Sequence, residues 1–240
     1  MNHKYNCKKC GVGIPEIAWN GPPEYCKKCH PDSHWITPDT LQKLHDVPSG
    51  YRKLVELDVL DDLPMCGDVF IFRADRLFYQ RELFEVLSDN PHLQPFAKAA
   101  GGDTWCWTAF RQEPGKESEI LLIENSLGSV TIYSPSFEAF MYRIALEEAV
   151  AVVRAKEREE VNAKIAEMAA QLRLIGSSHL AESLELIVES AADPGLENSS
   201  LITEAQFMDS LTQFLGSEYV DKNEYLGRVE RGFEFLKTGV

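Results

Sequence analysis

The stretch PFAKAAGGDTWCWTAFRQEPGKESEILLIENSLGSVTIYSPSFEAFMYRI, from Pro95 to Ile144, decides the fold. Thr104 to Phe110 alternates around Trp105 and Trp107, which places both indoles on one face of a strand. Glu119 to Glu124 is a second strand and Ser129 to Tyr133 a third. Glu113-Pro114-Gly115-Lys116 and Asn125-Ser126-Leu127-Gly128 carry the turn residues between them. From Ser136 the pattern changes to a helical one, so this passage predicts a three-stranded antiparallel meander closed by a helix, within an α+β domain.

Working toward the N-terminus, Val69-Phe70-Ile71-Phe72 has strand composition, and Gln80 to Leu87 carries Leu83, Phe84 and Leu87 at helical spacing. Pro38-Asp39-Thr40-Leu41 opens a short helical stretch that fades near Val47-Pro48-Ser49-Gly50. In the other direction a helical pattern runs from Ser136 to about Leu174, with Phe137, Phe140, Met141 and Ile144 as one stripe and Val161, Ile165, Met168 and Leu172 as another. Lys156 to Glu160 and Glu160 to Lys164 are i,i+4 ion pairs. Gly176 ends that run, and Ser178 opens the next helix, which carries Leu180, Leu184, Ile187 and Val188 as far as Asp193-Pro194-Gly195. Thr203-x-x-Gln206 and Asp221-x-x-Glu224 have capping-box spacing for two more helices. Their stripes are Phe207, Leu211, Phe214 and Tyr225, Val229, Phe233, Leu236. Three segments follow: residues 1–35, a central α+β domain over 36–145, and a helical extension or bundle over 146–240 that is also a candidate homo-oligomerisation element.

Charge is distributed unevenly among these segments. The chain carries 24 Lys and Arg against 38 Asp and Glu, a net charge of −14. Residues 1–35 hold five Lys against three carboxylates, whereas 36–145 hold ten basic against seventeen acidic residues and 146–240 nine against eighteen. Such a surface repels phosphate backbones, which disfavours direct nucleic-acid binding by the body of the protein and favours a basic partner. The same charge also serves solubility. No run of eighteen apolar residues occurs, and the polar start MNHKYNCKKC has no apolar h-region, so a soluble cytoplasmic protein without a membrane anchor is expected.

The first segment owes its fold to metal. Cys7-Lys8-Lys9-Cys10 and Cys26-Lys27-Lys28-Cys29 are two C-x-x-C units fifteen residues apart, the spacing at which two knuckles close on one tetrahedral Zn2+. Ile14, Ile17 and Trp19 are too few to stabilise such a module by burial, so coordination must supply most of its folding free energy, on the order of ten kcal/mol in zinc-finger peptides. Four thiolates fill all four positions and leave no place for a water, which makes this a structural and not a catalytic metal. His3, His30 and His34 lie nearby as alternative or outer ligands. Cys26-x-x-Cys29-His30 also fits a haem attachment pattern, but that reading leaves the upstream pair unexplained, and a redox dithiol lacks the βαβ context. Cys66 and Cys106 read as buried small hydrophobes.

Three features of the central segment resemble the SUKH superfamily. Gly102-Asp103 opens the meander, Ser136-Phe137-Glu138-Ala139-Phe140 starts the closing helix, and Pro95-Phe96-Ala97 is similar to the family's lead-in. The resemblance covers about residues 48 to 145, with Pro48 to Leu63 as a diverged version of the family's N-terminal helix. It implies a sheet packed against helices, no shared catalytic chemistry, and a role in protein binding. Bacterial members are chiefly immunity proteins that neutralise polymorphic toxins, many of them nucleases, while others are scaffolds or regulators. A nuclease site built for phosphates is basic, which matches the acidic surface.

No phosphate loop, no G-x-S-x-G elbow and no H-E-x-x-H motif occurs, and His45, His92 and His179 are scattered, so a non-enzymatic binding protein is expected. Asp103, Trp105, Trp107 and Glu124 are the candidate partner-binding residues. Each also has a plain alternative: Gly102-Asp103 as a turn, the two tryptophans as sheet packing, Glu124 as a solvated strand end. Two functional readings remain: an immunity protein that binds a cognate toxin with a basic surface, and a zinc-ribbon adaptor or regulatory scaffold that assembles through its helical tail.

Overall fold

The computed structural model describes residues 5–6, 13–14, 47–60, 63–66, 68–72, 93–108, 117–124, 129–151, 158–190 and 200–219. The chain divides into two compact units, Met1–Ile36 and Thr37–Val240. In the first, strands β1 (Tyr5–Asn6) and β2 (Gly13–Ile14) pair antiparallel, with Tyr5 opposite Ile14 and Asn6 opposite Gly13.

The second unit is α+β. Strands β3 (Val69–Ile71), β4 (Leu93–Ala99), β5 (Thr104–Thr108), β6 (Ile120–Glu124) and β7 (Ser129–Ser134) form one antiparallel sheet in chain order. The described helices are α1 (Ser49–Glu56), α2 (Phe137–Val150), α3 (Arg158–Ile175), α4 (Ser178–Ser190) and α5 (Glu204–Leu215), followed by a 3-10 turn at Ser217–Tyr219. No helix among the described residues is long and apolar enough to cross a membrane.

The three expected strands of the meander are present, within a residue or two where their ends are described. The meander is longer than expected, because the Pro95-Phe96-Ala97 lead-in is itself a strand. Two signals obscured it: a proline within it and no clean polar alternation. The register of β4 against β5 shifts between Pro95 and Ala97, and this bulge accommodates the proline. Gly102, at φ 96°, then reverses the chain into β5: its N–H donates to Ala99 O, while Ala99 N–H donates to Asp103 O at 2.8 Å.

Helix α2 lies at the centre. Ser136 caps it, its Oγ accepting from Ala139 N–H at 3.1 Å. The sequence suggests one apolar stripe, but Phe137, Ala139, Phe140, Met141, Tyr142, Ile144, Ala145, Leu146 and Ala149 are all buried. A helix apolar almost all round needs cover on both sides. One side carries Phe137 and Phe140 onto the sheet's aromatic residues; on the other, Tyr142 Oη meets Ser183 Oγ of α4 at 2.8 Å and its ring meets Phe214 of α5. The opposite face of the sheet is buried as well, at Cys106, Leu121 and Ile132.

The continuous helix expected from Ser136 to Leu174 is corrected at Ala151, whose ψ of 143° takes the chain out of the helix. Leu201 N–H donates to Ala149 O at 2.8 Å, satisfying one of the carbonyls that the helix end would otherwise leave open. Gly176, at φ 98°, ends α3 as expected, with Ser177 N–H donating back to Leu172 O. At the start of α5, Thr203 Oγ1 accepts from Gln206 N–H and Gln206 Oε1 accepts from Thr203 N–H, the expected capping box. The expected helices over 38–46, 80–87 and 221–236, the turns at 113–116 and 125–128, and the Lys156 ion pair lie outside the described residues.

Gly50 shows how closely α1 approaches its neighbours: a Cβ there would collide with the Glu138 carboxylate of α2 and come within 3.0 Å of Ile175 Cδ1 of α3. The cap at Ser136 holds the helix that meets both layers. Ser136→Ala should lower unfolding free energy by about 1 kcal/mol, and Ser136→Asp should largely retain it, as read from urea midpoints.

Candidate functional site

Trp105 is 5% exposed and Trp107 0%. Trp107 stacks on Phe96 at a centroid distance of 5.4 Å and tilts against Tyr51 at 5.2 Å. Trp105 packs edge-on against Tyr133 and Phe140. Of the two sequence readings of these indoles, packing accounts for them: side chains this deep offer no area to a partner. Neither indole N–H has a hydrogen-bond partner among the described residues, so they contribute volume and ring contacts alone. Trp107→Phe should therefore be tolerated, whereas Trp107→Ala should cost about 3–5 kcal/mol in denaturant unfolding. Equal losses for both would contradict a role set by ring volume.

The other two candidates lie at the ends of strands. Asp103 is half-buried in the β4–β5 turn, where its backbone carbonyl is engaged by Ala99. Glu124, also half-buried, ends β6 and accepts from Ser129 Oγ directly across the ladder. Thr104 stands opposite Ile123, which brings Asp103 and Glu124 to the same end of the β5–β6 ladder, while the two indoles are buried in the core.

Charge is organised more clearly than any pocket. Arg143 donates through Nε to Glu147 Oε1 at 3.0 Å and through Nη1 to Tyr133 O at 2.7 Å, with its guanidinium 4.0 Å from the Tyr133 ring centroid. Tyr133 Oη donates to Glu147 Oε2 at 2.7 Å. Burial, reinforced by Glu147, pushes the Tyr133 phenol well above its ordinary range. Lys164 bridges Glu148 Oε1 at 3.1 Å and Glu160 Oε1 at 3.4 Å, and Arg173 pairs with Glu185, its Nε donating at 2.9 Å. These three cations are thus spent on carboxylates of the same chain. Glu56, Asp58, Asp68, Glu159, Glu167, Glu182, Glu189, Glu204 and Asp209 are exposed. The i,i+4 spacing of Arg143 and Glu147 was visible in the sequence; that it would lock α2 to Tyr133 of β7 was not.

Cys66 and Cys106 are buried and free, as their isolation from the C-x-x-C units suggests. Burial pushes the Cys66 thiol up to about 12, with Glu148 adding to the effect, and raises Cys106 further by burial alone. Both thiols remain protonated in the fold, whereas in the unfolded chain they ionise near 9.0. Above that pH the unfolded state releases protons that the folded state keeps, so stability falls as pH rises from about 9, at up to about 1.4 kcal/mol per pH unit for each thiol. Urea unfolding between pH 8 and 11 should show this decline, and Cys66→Ala should make it shallower.

No group of three or more His, Cys, Asp or Glu that could hold a metal occurs among the described residues. Cys7, Cys10, Cys26 and Cys29 lie outside them. Strands β1 and β2, which pair antiparallel, lie on either side of Cys7 and Cys10 in the sequence. Comparison with protein-family models, with curated proteins and with solved structures finds no match.

Proposed function

We propose that this chain is a non-enzymatic cytoplasmic binding protein of SUKH type, an immunity protein that neutralises a cognate toxin by covering its basic surface. The observation that carries the reading is electrostatic. The chain's net charge is −14, Glu56, Asp58, Asp68, Glu159, Glu167, Glu182, Glu189, Glu204 and Asp209 are exposed among the described residues, and Arg143, Lys164 and Arg173 are tied to Glu147, Glu148 and Glu185. Such a surface steers a basic partner toward it and turns nucleic acid away. The five-stranded antiparallel meander closed by a Ser-capped helix agrees with the resemblance at Gly102-Asp103 and Ser136-Phe137. Co-purification with the protein encoded beside it tests the proposal: a stable complex that weakens steeply with added salt is expected, and the absence of any complex at low salt would overturn it.

The second reading is a zinc-ribbon adaptor or regulatory scaffold, and the observation in its favour is that Met1–Ile36 forms a compact unit of its own. In either role Cys7, Cys10, Cys26 and Cys29 hold one structural Zn2+, a ligand set supported by the β1–β2 pairing around the first knuckle. Metal analysis should find about one zinc per chain. Cys26→Ser should weaken its retention by a chelator-competition assay, and unchanged retention would contradict four-cysteine ligation.

A further inference from the structure

We draw no further inference here: the strongest candidate, the surface of α3 and α4 where Leu174 and Leu186 stand exposed, is an apolar helix surface with nothing in the structure to show what covers it.

Discussion

Phe96 and Trp107, stacked across neighbouring strands, are the contact on which the rest of the second unit depends. Tyr51 of α1 and Phe137 and Phe140 of α2 close on this pair at centroid distances of 5.0 to 6.4 Å, all edge-on or tilted. These five rings are among the largest fully buried side chains of the described residues, and their edge-to-face geometry adds roughly 0.5–1.5 kcal/mol per pair beyond area. One cluster therefore sets the spacing of sheet and helices together. The bulge at Pro95 and the glycine turn at Gly102 are its local requirements, because both govern how β4 and β5 present their rings.

Once α2 is seated on that cluster, polar contacts fix its rotation and carry its position outward. Arg143 and Glu147 bind Tyr133 of β7, and a helix turned by one residue would lose all three partners at once. One residue further on, Glu148 reaches Lys164 of α3, and Tyr142 reaches Ser183 of α4. Glu148 is buried, and its bridge to that lysine offsets part of the cost of desolvating the carboxylate. The outer helices are thus registered to the sheet through α2, with α1 also lying against α3 where Gly50 meets Ile175.

Much of this was legible in the sequence. Strand alternation around Trp105 and Trp107, the Ser136 cap, the Gly176 stop and the Thr203 capping box are local signals, and local physics decided them. What was hidden depends on tertiary context. The Pro95 strand requires a bulge that only its partner defines. The break at Ala151 is read from backbone angles, not from any proline or glycine. The burial of α2 on nearly every side reflects two covering layers, which a single stripe cannot announce. The partner-binding candidates suffered from the same ambiguity, since an aromatic residue on a sheet face reads alike whether it packs inward or waits for a partner. Burial separates the two, and for Trp105 and Trp107 it favours the core.

With the indoles assigned to packing, the case for binding moves from aromatic hot spots to electrostatics. An acidic chain in which Arg143, Lys164 and Arg173 are internally paired suits fast, salt-sensitive association with a basic protein. Residues 1–35 differ from the rest of the chain in charge, with five Lys against three carboxylates. The central claim is tested most directly by growth: the neighbouring gene product is expressed alone and then together with this chain. Arrested growth in the first case and restored growth in the second is the predicted result; a harmless neighbour, or arrest that this chain does not relieve, would contradict the immunity account.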